Sequence, residues 1–178
     1  MTWSLWFTGL PGSGKSAIAL KTRELLEKDG IKVKILGLDE IRKIITPNPR
    51  YTEEERDIVY ASLAYMAKLV YDCKVNVIID ATANKQKYRA LARQLIPNFA
   101  EVYIKCPLEV CIQRERYRKD KFAPKDIYKK SKEKNATVPG VNVVYETPEN
   151  AEIIVESDKL NIEECAEKIV LEIGKIFD

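Results

Sequence analysis

The pattern of hydrophobic and polar positions changes its period repeatedly along the chain. Short apolar runs are typical of buried strands, and the longer stretches between them carry apolar residues at helical spacing. The predicted strands cover residues 3–8, 32–36, 75–80, 101–105 and 152–155. Strands that alternate with helices favour an α/β fold, in which a parallel, doubly wound sheet of about five strands carries helices on both faces.

Capping signals locate the ends of the predicted helices. Thr52 and Glu55 form a capping box at the start of a helix of about 20 residues, and Asn161 and Glu164 form another before the last helix. Three further helices are predicted at 15–28, at 84–95 and from Pro107 to about residue 119. No internal repeat or linker interrupts this order, so we expect a single domain over residues 1–178.

Composition narrows the range of partners. The chain of 178 residues is 46% hydrophobic and 32% charged, which is typical of a globular domain. Its net charge of +3 is too small for nucleic acid to be expected as a main partner. No apolar run reaches the length of a membrane span and no secretion signal is recognisable, so we expect no membrane association and a cytoplasmic location.

Cysteine and histidine usage limits the possible chemistry. Histidine is absent and the four cysteines form no Cys-x-x-Cys pair, which argues against the usual zinc ligand sets and against a histidine-based triad. We expect Cys73, Cys106, Cys111 and Cys165 to be small buried thiols. Acid–base chemistry must then come from Asp, Glu, Lys or Tyr.

A glycine-rich motif, GLPGSGKS, stands between the first predicted strand and the first predicted helix. It matches Gly-x-x-x-x-Gly-Lys-Ser, the phosphate-binding P-loop, in full. Glycines let backbone N–H groups turn toward phosphate oxygens, Lys15 is placed to reach the β- and γ-phosphates, and the Ser16 hydroxyl is placed to bind Mg²⁺. The predicted ATP-binding residues are Gly9, Pro11, Gly12, Ser13, Gly14, Lys15, Ser16 and Ala17.

The rest of the chain indicates the class of P-loop protein. The chain is too short for a motor or transporter ATPase, and the Asn-Lys-x-Asp motif of GTPases is missing, because NKQK at 84–87 lacks the aspartate. The remaining small class is the kinases that are similar to nucleoside-monophosphate kinases, with the three-layer P-loop NTPase fold. Such a kinase needs an acceptor site, an acidic group and a basic lid.

Two aspartates follow predicted strands, at the edge where ligands gather in an open α/β sheet. Asp39, in LDEIR, is placed to accept a proton from an acceptor hydroxyl or to hold Mg²⁺ through water, although it could simply cap the following helix. Arg42 shares that helix face and is a candidate ligand of an acceptor phosphate. Asp80 ends the strand VIID as a metal-side aspartate does. On the next helix, Arg93 is expected at the surface, while the role of Arg89 stays open.

A basic segment over about 116–140 breaks the alternating pattern and is the candidate lid. A lid that closes on ATP needs cations that neutralise charge during phosphoryl transfer, whereas a solvated charged helix is the alternative interpretation. Arg114 is predicted to contact ATP. The cationic residues of this region include Arg114, Arg116, Arg118, Lys119, Lys121, Lys125, Lys129 and Lys130.

Several of these motifs resemble those of the adenylyl-sulfate kinases (APS kinases), and the resemblance covers most of the chain. WFTGLPGSGKS is similar to the family's P-loop, LDEIR to its Asp-Gly-Asp-x-x-Arg segment, and RYTEEER to its Gly-Phe-Ser-x-Glu-Asp-Arg stretch. Two longer and more specific blocks are EVYIKCPLEVCIQR and PKDIYKKSKEKNATVPGVNVVYETPENAEI.

The resemblance implies a cytosolic, Mg²⁺-dependent kinase of sulfate assimilation, commonly dimeric. It would transfer the γ-phosphate of ATP to the 3′-hydroxyl of adenosine 5′-phosphosulfate (APS) and give PAPS. Asp39 would be the base, and Tyr51 would stand where a phenylalanine stacks on the adenine of APS. Arg42 and Arg56 would bind the acceptor, and Lys125 would belong to the lid on the substrate side.

The sequence departs from the family pattern on the acceptor side. DATAN at 80–84 replaces Ser-Phe-Ile-Ser-Pro, so that Ala83 stands at a serine position, and Ala136 replaces the second stacking phenylalanine. DIVYASL lacks the Asn and Arg that contact APS in the family. Three functions stay open: an APS kinase, a kinase acting on a hydroxyl of another nucleotide or sugar-like metabolite, and a nucleotide-binding regulatory module without catalysis.

Overall fold

One parallel sheet runs through the structure. A computed structural model of the chain describes residues 1–119 and 121–177. Within them, the strands are β1 (Ser4–Thr8), β2 (Val33–Gly37), β3 (Asn76–Asp80), β4 (Phe99–Lys105) and β5 (Ile153–Glu156). The helices are α1 (Lys15–Lys28), α2 (Leu38–Ile45), α3 (Glu53–Asp72), α4 (Gln86–Leu95), α5 (Leu108–Arg116), α6 (Ile127–Lys130) and α7 (Ile162–Phe177).

The strand order of the sheet is β2-β3-β1-β4-β5, and every neighbouring pair is parallel. This arrangement confirms the predicted doubly wound sheet of about five strands. Since all the strands run the same way, their carboxyl ends share one edge. Along that edge Asp80 is in register with Phe7 of β1 and with Gly37 of β2. The segments that follow β1, β2 and β3 therefore meet.

Helices cover both faces of the sheet, as predicted. On one face α1 and α7 bury Ile18, Leu26 and Ile169 in a core that also contains Trp3. On the other face α3 and α4 bury a second core around Trp6, Val59, Leu63, Tyr88 and Ala92. Burial of this apolar surface is the main favourable term in holding the layers together. No helix in residues 1–119 or 121–177 is both long and apolar enough to cross a bilayer.

Some predicted boundaries are wrong by a few residues. The helix after Pro107 ends at Arg116 rather than at about residue 119. The N–H of Tyr117 donates to the carbonyl of Arg114, and the N–H of Arg118 donates to that of Glu115. These tighter i→i−3 bonds close the last turn and end the helix. Similarly, α4 begins at Gln86 instead of residue 84.

The two predicted capping boxes have different outcomes. Asn161 and Glu164 exchange two hydrogen bonds, of 2.8 and 2.9 Å, which confirms the box at the start of α7. Thr52 Oγ1 accepts from the backbone N–H of Glu55 at 3.2 Å, as predicted. The Glu55 carboxylate, however, accepts hydrogen bonds from the backbone N–H groups of residues 50 and 51. The carboxylate of this predicted box therefore binds the loop that precedes the helix.

The prediction of four buried thiols holds for three cysteines. Cys106, Cys111 and Cys165 are buried, and burial raises the pKa of the Cys111 thiol to about 12. Cys73 is exposed, because it follows the last turn of α3 at the surface and ends the helix there. The prediction for Cys73 was therefore wrong.

Candidate active site

A cavity of about 910 Å³ lies over the carboxyl edge of the sheet. Its walls come from the loop after β1, from α2, from the start of α3, from the end of β3, and from the segment between α5 and β5. The sequence pattern predicted ligands at this edge, and the cavity lies there. The cavity is large enough for two small-molecule ligands side by side.

The P-loop forms the floor of the cavity and needs glycine for steric reasons. Gly12 has a φ of +82°, in the left-handed region. A Cβ built on it would stand 2.4 Å from the carbonyl oxygen of Cys111 in α5. A side chain at this position would therefore push the loop away from α5. Gly14, also left-handed, precedes the first residue of α1, whose N-terminus points at the cavity.

Lys15 is the cation at the centre of the P-loop. Its side chain is buried, and Nζ donates to the carbonyl oxygens of Gly9 and Leu10, both at 3.0 Å. Burial lowers the pKa of the Lys15 ammonium, while the carboxylates of Asp80 and Asp39 act in the opposite direction. The predicted catalytic lysine therefore lies within electrostatic reach of both predicted aspartates.

Hydrogen bonds from distant elements hold the P-loop in place. Tyr128 of α6 donates its hydroxyl proton to the carbonyl of Pro11 at 2.6 Å. Ser157, just after β5, donates to the carbonyl of Ser13 at 2.7 Å. Arg114 lines the cavity as expected of an ATP contact, and its guanidinium also donates to the backbone and side-chain oxygens of Ser157. The sequence pattern gave no signal for Ser157.

Asp39 and Asp80 enter the cavity from neighbouring strands. Asp39 is the second residue of α2, immediately after β2, and Asp80 is the last residue of β3. Both line the cavity, as do Lys15 and Ser16. A serine hydroxyl and two carboxylates are hard oxygen donors, the type that Mg²⁺ prefers together with phosphate oxygens and water. The donor set here fits that ion.

Three of the four predicted acceptor residues lie close together in the cavity wall. The Arg42 guanidinium carbon lies 5.0 Å from the centre of the Tyr51 ring, a cation–π contact. Arg42 Nη1 lies 3.4 Å from a carboxylate oxygen of Glu55. Arg56 donates to the backbone oxygen of Thr137 at 2.7 Å and so joins α3 to the candidate lid. Arg42, Tyr51 and Arg56 all line the cavity.

The candidate lid covers one side of the cavity, and only some of the cations predicted in the basic segment line the cavity. Lys125 is exposed and does not line the cavity. The predicted cations that line it are Arg114, Arg118, Lys121 and Lys130. The remaining predicted cations of the segment, besides Lys125, are Arg116, Lys119 and Lys129, which are exposed. The solvated and the substrate-facing interpretations of the basic segment thus apply to different residues within it.

The DATAN segment at 80–84 is held by buried side chains. Trp6 Nε1 donates to the carbonyl of Ala81 at 3.1 Å, and Thr8 Oγ1 donates to that of Thr82 at 2.6 Å. The Tyr60 hydroxyl accepts from the N–H of Ala83 at 3.0 Å. This fixed turn presents Ala81, Thr82 and Asn84 to the cavity. Ala83, the residue at the family's serine position, does not line it.

Arg89 has a structural place beside this turn. It is fully buried and pairs with Glu101 of β4 at 3.0 Å, and it donates to the carbonyls of Ala83 and Glu146. A buried charge is tolerated because it is paired and hydrogen-bonded. Arg93 is partly exposed and pairs with Glu152 at 2.6 Å, in agreement with its predicted surface position. Neither arginine lines the cavity.

The charge of the cavity wall favours anionic ligands. Among residues 1–119 and 121–177, eight lining side chains are cationic and three are acidic. Of these cations, Arg50 had no predicted role, and Arg118, Lys121 and Lys130 were predicted only as members of the basic segment. Such an excess of cations in a concave site raises the local concentration of phosphorylated ligands and stabilises their charge.

Comparison with known proteins gives a consistent result. The family model described as adenylylsulphate kinase matches residues 1–156. A probable adenylyl-sulfate kinase of Pyrococcus abyssi is 36% identical over 168 residues, covering 94% of this chain and 92% of the relative. An adenylyl-sulfate kinase of Halothermothrix orenii is 31% identical over 168 residues, with 94% and 86% covered.

Solved structures agree with the sequence relatives. The APS kinase of Mycobacterium tuberculosis, solved in complex with AMPPNP and APS, superposes with a TM-score of 0.84. The superposition covers 97% of this chain and 98% of that chain, at 28% sequence identity.

Proposed function

The chain belongs to the adenylylsulphate kinase family, and from that premise we propose that it phosphorylates APS with ATP. The P-loop NTPase fold predicted from the motif is the fold of its structural relatives. The observation that carries the proposal is the shared cavity, which brings the complete P-loop, Asp39 and the Arg42–Tyr51 pair together. The function is thus a transferase reaction with a hydroxyl group as acceptor.

The donor half of the reaction rests on the P-loop. Backbone N–H groups of residues 9–17 and the N-terminus of α1 bind the phosphates of ATP. Lys15 exchanges its hydrogen bonds with the Gly9 and Leu10 carbonyls for bonds to phosphate oxygens, and it stabilises charge on the transferred group. Arg114 and Arg118 add positive charge from the lid side.

The transfer step uses Asp39 as the base. The 3′-oxygen of APS forms a bond to the γ-phosphorus, the bond from that phosphorus to the β,γ-bridging oxygen breaks, and ADP leaves with the electron pair. The proton of the 3′-hydroxyl goes to the Asp39 carboxylate. Phosphoryl transfer depends mainly on positioning and charge stabilisation, so the base is one contribution among several.

Mg²⁺ is the metal ion that the donor set fits. Ser16 and Asp39 would hold it, directly or through water, with Asp80 on the metal side. When bound, the ion neutralises charge on the β- and γ-phosphates. The carboxylate of Asp80 also attracts the Lys15 ammonium electrostatically.

The acceptor half rests on the cluster around Tyr51. The Tyr51 ring stacks on the adenine of APS, and Arg42 and Arg56 bind its anionic groups. Lys125 stays a predicted lid residue, which would have to move to reach substrate because it is exposed in this structure. A homodimer and a cytoplasmic location remain predictions from the family resemblance.

A coupled assay tests the proposed function. Purified protein is mixed with ATP, Mg²⁺ and micromolar APS, and PAPS and ADP are measured together by chromatography. Equal amounts of the two products are expected, and neither should form when Mg²⁺ is chelated. If ATP binds but no PAPS appears at any APS concentration, the proposed acceptor is wrong.

A second candidate function keeps the kinase and changes the acceptor. It is favoured by the replacement of a stacking phenylalanine by Ala136, which lines the cavity, and by the polar Thr82 and Asn84 nearby. A panel of nucleosides, nucleotides and sugar-like alcohols, scored by ADP release above the rate without acceptor, distinguishes the two. If APS is the one acceptor of the panel that raises ADP release above this background, the second candidate is excluded.

A further inference from the structure

Glu55 contacts two residues that line the acceptor side of the cavity, Arg42 and Tyr51. It is the third residue of α3, its side chain is 16% exposed, and it has more partners than a capping residue needs. One carboxylate oxygen accepts from the N–H of Arg50 at 2.9 Å. The other accepts from the N–H of Tyr51 at 2.8 Å and lies 3.4 Å from Arg42 Nη1. A single carboxylate thus binds a loop backbone and a cavity-lining arginine.

Tyr51 needs such support because its backbone is strained. Its φ of +55° lies in the left-handed region, which residues with a Cβ seldom adopt. Strain of this kind persists only where the surroundings impose it, and it concentrates at functional sites. The two charge-assisted hydrogen bonds from the Arg50 and Tyr51 N–H groups to Glu55 supply that restraint. The backbone turn at Tyr51 places the Tyr51 ring on the cavity wall.

Arg42 is held by the same carboxylate. Its Nη1 donates toward Glu55 and toward Thr46 Oγ1, at 3.4 and 3.3 Å. The guanidinium carbon then lies 5.0 Å from the Tyr51 ring centre. Although burial raises the pKa of Glu55, hydrogen bonds from Arg50 and Tyr51 and the charge of Arg42 outweigh it and lower the pKa. The carboxylate therefore stays ionised at neutral pH, as both contacts require.

We propose that Glu55 is a positioning residue that sets the Arg42–Tyr51 pair in the geometry that binds the acceptor. Glu55 itself does not line the cavity, so it acts through the two residues that do. The inference rests on the proposed function, because the acceptor is taken to be APS. It predicts that Glu55 governs acceptor affinity while leaving ATP affinity alone, since none of its contacts reaches the P-loop.

Glu55→Gln is the informative variant. A glutamine replaces one of the two carboxylate oxygens with an NH2 group, so that one of the two backbone N–H groups faces a donor instead of an acceptor, and it carries no charge for Arg42. We expect the KM for APS to rise about tenfold or more, which corresponds to the loss of one charge-assisted bond. The KM for ATP should stay within about twofold, because nothing in the P-loop changes. Glu55→Asp, which keeps the charge on a shorter stem, should restore part of the affinity.

The control is Glu54→Gln, which removes the same charge one residue away. Glu54 is exposed, lies outside the cavity, and should leave both KM values unchanged. Equal rises in the KM for ATP and for APS in Glu55→Gln would overturn the proposal, because they would indicate a general structural role. An unchanged KM for APS would overturn it as well.

Amide hydrogen exchange on the free protein separates this inference from the proposed function. In the wild type, the N–H groups of Arg50 and Tyr51 should be protected by their bonds to Glu55. Glu55→Gln should reduce the protection of at least one of these two amides, while Glu54→Gln should keep both protected. No substrate is involved in this measurement. If the wild type makes no PAPS, the proposed acceptor fails, whereas unchanged protection of both amides in Glu55→Gln would refute the role of Glu55.

Discussion

The donor and acceptor walls of one cavity are built in different ways. The donor wall is backbone: the P-loop turns through Gly12 and Gly14, and side chains from α6 and from the end of β5 bind its carbonyl oxygens. The acceptor wall is made of side chains that contact each other, with Arg42 stacked on Tyr51 and both set by Glu55. Three elements contribute to it, and a strained residue is at its centre.

This difference affects what each wall tolerates. A backbone wall depends on a few residues that permit one conformation, so its sequence is restricted to a short motif. A side-chain wall can be rebuilt from other residues if charge and shape are kept, so its sequence is free to vary between acceptors. The departures from the family pattern, at 80–84 and at Ala136, all lie on the acceptor side or in the lid. The donor wall should accordingly respond to substitution in the same way with every acceptor.

The largest expected effect comes from removing the donor-wall cation. Lys15→Ala should lower kcat by about 10³-fold, because the charge that stabilises the transferred phosphoryl group is lost. The loss should be the same for APS and for any other acceptor that the wild type uses. The control is Lys21→Ala, because Lys21 lies on the same helix and pairs with Glu163 at the surface. Steady-state rates of ADP formation give kcat for both variants. A fall in kcat that differed between acceptors would contradict the separation of donor and acceptor walls.

A smaller effect is expected where the walls meet. Asp39→Asn should lower kcat by about 10²-fold, near the lower end of the range for general bases, because phosphoryl transfer depends little on proton abstraction. ATP binding, measured by calorimetry, should change little. Glu40→Gln, at the exposed neighbouring position, is the matched control. Wild-type turnover in Asp39→Asn would show that another group takes the proton.

The sequence predicted the structure well wherever the structure depends on a local pattern of residues. Short apolar runs located the five strands of the described residues, because the strands of a parallel sheet that is covered on both faces must be apolar on both sides. The P-loop was fully predictable, because its chemistry is encoded in residues 9–16 and in its place between a strand and a helix. The tips of β2 and β3 were predictable for the same reason: the ends of parallel strands meet at one edge.

What the sequence left hidden depends on contacts between distant segments. Ser157 lies 144 residues from its partner Ser13, and no periodicity joins them. Glu55 matched a capping box, yet its carboxylate serves residues 50 and 51, which depends on the backbone of a loop whose shape no pattern gives. The role of Arg89 stayed open, because no sequence pattern near Arg89 indicates its buried ion pair with Glu101.

A further prediction weakens the donor wall without touching its motif. Ser157→Ala removes the hydroxyl that donates to the Ser13 carbonyl, leaving that oxygen without this partner. We expect the free energy of unfolding to fall by about 1–2 kcal/mol and the KM for ATP to rise several-fold, with the KM for APS unchanged. Ser62→Ala is the control, since that hydroxyl donates to Ile58 within α3. Chemical denaturation and steady-state kinetics provide the measurements; a change confined to the KM for APS would contradict the assignment of this contact to the donor wall.

The smallest predicted effect is a gain, and it addresses the acceptor directly. Ala136 lines the cavity with Tyr51, at the position of the family's second stacking phenylalanine. If the acceptor is APS, Ala136→Phe should offer its adenine a second aromatic face and lower the KM for APS by about fivefold, near the low end of base-stacking energies. Ala136→Leu adds similar bulk without an aromatic face and should not lower it. The KM for ATP should stay the same in both variants, because the P-loop is unaltered. Ala136→Phe could instead raise the KM for APS while the wild type turns over a bulkier alcohol faster than APS. That result would show that the space beside Ala136 binds the alcohol. The acceptor wall would then differ from that of an APS kinase, while the donor wall would be the same.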